Sequence, residues 1–171
     1  MRIFIIIFLS FFLINTQAQN NLNRGYKVKV GDKAPEIDLK LLDGQIINNE
    51  NIQGKVVVFQ FTASWCSVCI KEMPHLEKEV WQRFKNDNFI LIGVDLMEDI
   101  EVVKEFISKT EVTYPFTIDK DGTFFESFTL QKAGVTRNIV VNQTGKISFL
   151  TRLYDKTEFA QMIEHIDQLL K

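Results

Sequence analysis

Apolar residues in this chain fall into two kinds of run. Val56-Val57-Val58-Phe59-Gln60-Phe61 and Phe89-Ile90-Leu91-Ile92-Gly93-Val94 are short and nearly continuous, the pattern of strands covered on both faces. The other kind is spaced for helices. Val68, Met73, Leu76, Val80 and Phe84 predict a helix from Ser67 to about Lys85. Pro74 lies inside it and should kink it, because proline has no backbone donor. Ile100, Val103, Phe106 and Ile107 predict a second helix, ending near Thr110. Phe159, Met162, Ile163, Ile166, Leu169 and Leu170 line one face of a last helix. Asp155, with Glu158 three residues on, resembles a capping box at its start.

Weaker signals fill the gaps. Ile37 to Leu39 and Gln45 to Ile47 flank Asp43-Gly44 and read as a hairpin. Asn48 to Gly54 is a connection with room for one helical turn. Tyr114 to Ile118 is a short extended segment, Asp121-Gly122 a turn, and Phe124 to Phe128 a short helix. Asn138 to Val141 and Lys146 to Leu153 are strands joined through Asn142-Gln143-Thr144-Gly145. Strand–helix–strand units force parallel pairs, and the late hairpin adds antiparallel strands. The expected fold is α/β: a mixed central sheet with helices on both faces and an N-terminal β-hairpin.

The first residues belong to a different class. Arg2 precedes an apolar stretch from Ile3 to Ile14, and Thr16-Gln17-Ala18 offers small residues for cleavage. That is the layout of a secretory signal, and the apolar stretch is short of the ~20 residues a spanning helix needs. An uncleaved anchor is the alternative reading. The division is therefore 1–18 signal peptide, 19–29 a polar, loose lead-in, and 30–171 one domain. Export to the periplasm places the domain where disulfides persist. The net charge of −2 over 171 residues argues against nucleic acid as a partner.

The chemistry concentrates at Thr62-Ala63-Ser64-Trp65-Cys66-Ser67-Val68-Cys69, which holds the only two cysteines. They sit where a strand ends and a helix begins. First-turn amides of a helix have no intrahelical partner, and the dipole is positive there, so a thiolate is stabilised. Cys66 should face solvent at the helix start, with Cys69 one turn later on the inner side. Such a pair opens and closes a disulfide with little backbone movement. A purely structural disulfide is the first alternative, although a loop this short constrains the unfolded chain little. Half of a zinc site is the second; only His75 and His165 are available to complete it.

Three motifs together resemble the thioredoxin-like superfamily, and more closely the exported thiol-disulfide oxidoreductases of TlpA/ResA type, related to the AhpC/TSA redoxins. They are Gly31-Asp32-Lys33-Ala34-Pro35, Gly54-Lys55-Val56-Val57-Val58 leading to Ala63-Ser64-Trp65-Cys66, and Lys71-Glu72-Met73-Pro74. The resemblance covers about Val30 to Leu170. It implies a thioredoxin-like fold, Cys66 as the attacking nucleophile and Cys69 as the resolving thiol. It also implies Trp65 beside the disulfide and Glu72 as an acid that adjusts thiol pKa or guides substrate; a solvated Glu72 is the other reading. No cofactor is implied beyond the Cys66–Cys69 disulfide. The implied partners are protein thiols and disulfides and a membrane electron donor, and the chain is expected to be a monomer.

Three positions depart from the family pattern. Ser67-Val68 lies between the cysteines in place of an x-Pro pair, so the potential is open within about −270 to −120 mV. Gln60 stands where thioredoxin buries an acid. Thr136 stands where the family has a cis-proline facing the disulfide. A trans Val135–Thr136 bond is expected, with the hydroxyl facing Cys66 and lowering its pKa by hydrogen bonding to the thiolate; Arg137 should point away. Two other functions compete. A peroxiredoxin-like peroxidase shares the Gly-x-x-Ala-Pro opening, but Phe59 and Ala63 stand where its proline and threonine would be. A Cu(I) metallochaperone would use the soft thiolates, with His165 as a candidate ligand.

Overall fold

The computed structural model describes residues 24–171, so the signal-peptide reading of residues 1–18 lies outside the described residues. Seven strands are seen: β1 Asp38–Lys40, β2 Ile46–Asn48, β3 Val56–Thr62, β4 Phe89–Leu96, β5 Phe116–Asp119, β6 Arg137–Val141 and β7 Ile147–Leu150. β1 and β2 form the expected antiparallel hairpin. The other five make one sheet in the order β5-β4-β3-β6-β7. β3, β4 and β5 are parallel, and β6 and β7 are antiparallel to their neighbours. β3 is central and all seven of its residues are buried, which accounts for its nearly continuous apolar run.

The helices are α1 Ser67–His75, α2 Gln82–Phe84, α3 Ile100–Thr110, α4 Thr123–Phe128 and α5 Lys156–Leu169. Alternation along the strands divides the core. Val57, Phe59, Phe61, Ile92 and Val94 face the hairpin and the α4 phenylalanines Phe124, Phe125 and Phe128. Val56, Val58, Leu91 and Val140 face Met73, Leu76, Val80, Val103, Phe106 and the apolar stripe of α5. Helices thus cover both faces, as expected. Each fully buried Leu, Ile, Val or Phe contributes about 1.5–3 kcal/mol, so both layers are needed.

Several local expectations are corrected. The long helix after the cysteines is not one kinked α-helix. A π-helical segment, Leu76–Trp81, separates α1 from α2. Pro74 has no N–H to give to the carbonyl one turn back, and the register widens in the residues that follow. Asn48 to Gly54 makes turns and no helix. Only half of the capping box forms: Asp155 accepts from Glu158 N–H at 2.9 Å, while the Glu158 carboxylate pairs with Arg24 at 2.7 Å and accepts from Arg152 N–H. Residues 24–29 are not loose. Tyr26 is 1% exposed, and its hydroxyl donates to the carbonyl of Thr151.

Candidate active site

The C-terminal end of β3 delivers the cysteine pair. Ala63 is fully buried, and its carbonyl accepts from Cys66 N–H at 3.1 Å, closing a turn with Ser64 and Trp65 at its centre. Cys66 is the N-cap of α1: its backbone is extended, and its sulfur accepts from Cys69 N–H at 3.3 Å. The sulfur therefore occupies the position at which a helix start stabilises negative charge. Cys66 and Cys69 are joined as a disulfide, with Cα atoms 5.3 Å apart.

Cys66 does not face solvent as expected. It is 8% exposed and Cys69 is fully buried. The segment before β6 covers the pair: the Thr136 hydroxyl lies 3.1 Å from the Cys66 sulfur and 3.3 Å from that of Cys69. No peptide bond among the described residues is cis. Trp65 flanks the pair with its side chain largely in solvent, 67% exposed.

Glu72 lies one turn beyond Cys69 on α1 and is 1% exposed, so the solvated reading is wrong. Asn138 on β6 donates to its carboxylate at 2.8 Å and also touches the Thr151 hydroxyl at 3.1 Å. Burial pushes the Glu72 carboxyl up to about 8, against the opposing pull of the Asn138 hydrogen bond. Gln60 sits beside it and accepts from the buried Tyr114 hydroxyl at 2.8 Å. The acid missing at Gln60 is thus replaced by one that approaches the same interior from the helix.

Sequence reasoning missed Asn138 as the partner of Glu72. Its signal was an amide directly before the apolar run Ile139-Val140-Val141. It also missed two carboxylates at the end of β4, Asp95 within the strand and Glu98 just after it. Asp95 is fully buried, and burial, then the neighbouring Glu98, pushes its carboxyl up to about 8. Glu98 binds Ser64. Arg137 was left outside the site, and its side chain does not contact the sulfurs: it donates to the carbonyls of Gly134 at 2.9 Å and Arg24 at 2.8 Å and lies over the Tyr26 ring.

The positions that would serve a peroxidase, Phe59 and Ala63, are both buried core with no polar side chain. His75 bonds Glu79 at 2.7 Å and stacks on Tyr154, while His165 packs against Phe149. Neither histidine is gathered with the cysteines into a metal-binding group among the described residues.

The AhpC/TSA family profile matches residues 30–150. The chain is 27% identical over 146 residues to thiol-disulfide oxidoreductase ResA of Bacillus cereus, covering 85% of this chain and 83% of the relative. ResA of another Bacillus cereus strain is 31% identical over 128 residues, 69% and 73% of the two chains. Among solved structures, a Bacteroides thetaiotaomicron protein provisionally described as a protein disulfide isomerase superposes with a TM-score of 0.82. It is 45% identical, with 85% of this chain and 92% of that one covered. The thioredoxin domain of a thiol-disulfide oxidoreductase from Bacteroides vulgatus superposes with a TM-score of 0.70 at 25% identity, covering 85% and 100%. With its strand–Cys-x-x-Cys–helix site in a thioredoxin-like fold, the chain belongs to the AhpC/TSA family and is a thiol-disulfide oxidoreductase of the ResA type.

Proposed function

We propose that the chain is exported, is cleaved after Ala18, and works in the periplasm as a monomeric reductase of protein disulfides. The observation that carries this reading is the buried pair itself: one sulfur caps a helix, and both lie within reach of the Thr136 hydroxyl. The apolar stretch Ile3 to Ile14 supports export. Among the described residues no helix is long and apolar enough to cross a membrane.

In the reduced enzyme, the Cys66 thiolate attacks a substrate disulfide. A Cys66–substrate disulfide forms, and the first substrate sulfur leaves as a thiolate that takes up a proton. Cys69 then gives up its proton and attacks the Cys66 sulfur, with the buried Glu72 carboxyl one helical turn away to relay that proton to the departing substrate sulfur. The second substrate thiol leaves, and the Cys66–Cys69 disulfide forms. Two electrons have passed to the substrate, with one proton from Cys69 and one from solvent. A membrane electron donor returns them to the pair, and no cofactor beyond the disulfide is required.

The test is reduction of insulin disulfides together with the equilibrium potential of the pair. Activity lost in Cys66→Ser and a potential below about −200 mV support the reading. A potential near −120 mV would assign the enzyme to oxidation instead.

A further inference from the structure

The turn that presents Cys66 is held from outside by a residue of another strand's loop. Ser64 lies at its centre, two residues before the nucleophile. Its N–H donates to one Glu98 carboxylate oxygen at 2.5 Å, and its hydroxyl donates to the other at 2.6 Å. Both carboxylate oxygens are thus spent on one residue, in the two-point geometry that fixes orientation as well as distance.

The loop that brings Glu98 there is itself constrained. Met97, immediately before it, has φ 61°, a left-handed conformation that costs a non-glycine residue free energy. Its N–H is tied to the carbonyl of Asp119 at 3.1 Å. The Met97 side chain is 60% exposed, so packing of that side chain does not account for the conformation. What the turn of the backbone achieves is to aim Glu98 back at Ser64. Asp95, three residues earlier, is fully buried and lies beside Glu98, which helps to push its carboxyl up. A carboxylate is a stronger acceptor than a neutral group, so the two hydrogen bonds that Glu98 accepts from Ser64 hold the turn firmly.

We propose that Glu98 is a positioning residue for the reaction of Cys66: its carboxylate grips Ser64 and so fixes the turn that sets the sulfur over the first amides of α1. The proposal rests on the thiol-disulfide reading and adds a residue outside the Cys-x-x-Cys segment to it. Glu98 acts in two opposed ways. Its negative charge disfavours a thiolate nearby, whereas its grip keeps the Cys66 sulfur aligned with the Cys69 N–H that favours one. The two are separable, because glutamine keeps a carbonyl oxygen for Ser64 and removes the charge.

The experiment measures iodoacetamide alkylation of Cys66 against pH in fully reduced protein, for wild type, Glu98→Ala, Glu98→Gln, Ser64→Ala and the Ser64→Ala/Glu98→Ala double variant. Melting temperatures are recorded alongside. Glu98→Ala should slow alkylation at pH 7 by about three- to tenfold, through a raised Cys66 pKa. Glu98→Gln should match wild type or exceed it. Ser64→Ala should fall between, and the double variant should be no slower than Glu98→Ala alone, since both changes break one contact. Rates in Glu98→Ala and Glu98→Gln that rise alike would leave only the charge and overturn the proposal. So would an unchanged Cys66 pKa in Glu98→Ala, whatever the melting temperature does. Alkylation needs no protein substrate, so failure to reduce insulin would count against the reductase reading and leave this test standing.

Discussion

The Thr136 hydroxyl lies 3.1 Å from the Cys66 sulfur and 3.3 Å from that of Cys69. It is the one side-chain hydroxyl recorded against both sulfurs among the described residues, and it is buried. A hydroxyl there donates to whichever sulfur is anionic and favours the charged form. Thr136→Val keeps the shape and removes the donor, so the Cys66 pKa should rise by about one unit, as expected for a hydrogen bond to a charged group worth about 1.5 kcal/mol. Thr136→Ser should restore the wild-type value. Thiolate absorbance against pH in the reduced protein checks both, and a pKa in Thr136→Val at or below that of wild type would remove the hydroxyl from the mechanism.

Glu72 should make stability depend on pH. Its carboxyl titrates at about 8 in the folded chain, against an ordinary value of 4.5. Between these values the folded protein keeps a proton that the unfolded chain has released. The contribution is fully present below about pH 4.5 and is lost as pH rises toward 8. The slope is at most about 1.4 kcal/mol per pH unit. Asp95, also pushed up to about 8, adds a slope of the same sign. Glu72→Gln should therefore lose clearly less stability than wild type between pH 5 and pH 8, measured by urea unfolding. Equal losses in the two proteins would mean that Glu72 is ionised in the folded state.

The two cysteines should differ in reactivity. Cys66 retains 8% exposure and caps the helix, whereas Cys69 is fully buried. A brief alkylation of reduced protein should label Cys66, and Cys69→Ala should accumulate mixed disulfides because the resolving sulfur is gone. Peptide mapping that finds the label mainly on Cys69 would reverse the roles.

How much of this was legible in the sequence depends on the range of the interaction concerned. β3 and β4 announced themselves because both faces of each strand are covered, which forces an apolar run. Cys66 as a helix-start residue followed from its immediate neighbours. Thr136 was found only because the family pattern marks the position opposite the disulfide. Asn138, Asp95 and Glu98 were not found. The partners of Asn138 and Glu98 lie 66 and 34 residues away in sequence, at Glu72 and Ser64, and Asp95 is buried where β4 pairs with β3, beside Thr62 in the register; hydrophobic periodicity carries no record of which strand register brings them together. The solvent-facing placement of Cys66 failed for the same reason: the residue that covers it is 70 positions later.

Gly93 marks a close approach inside the sheet. A Cβ added there would lie 2.4 Å from the Phe116 ring. Phe116 is 3% exposed and stacks on Tyr114, which in turn donates to Gln60, so the ring has little room to retreat. Gly93→Ala should destabilise the fold by about 1–3 kcal/mol through overpacking. Chemical denaturation giving a change within about 0.5 kcal/mol would show that the Phe116 ring moves freely.

Arg137 is 1% exposed, and its guanidinium lies over the Tyr26 ring at 4.5 Å while donating to the carbonyls of Gly134 and Arg24. No carboxylate pairs with it among the described residues, and burial lowers its proton affinity. Two effects oppose each other on replacement. Removing a buried, unpaired charge relieves desolvation, which can offset the lost hydrogen bonds when the volume is kept. Removing the volume leaves a cavity beneath Tyr26, and large-to-small core changes cost about 2–5 kcal/mol. Arg137→Met fills most of the space and should cost less than about 2 kcal/mol. Arg137→Ala should cost more than about 3 kcal/mol, because nothing then supports the aromatic ring. The ordering by denaturant midpoint is the test: if Met is as damaging as Ala, the hydrogen bonds to the two carbonyls outweigh packing, and the guanidinium is the strut that holds the segment leading to Thr136.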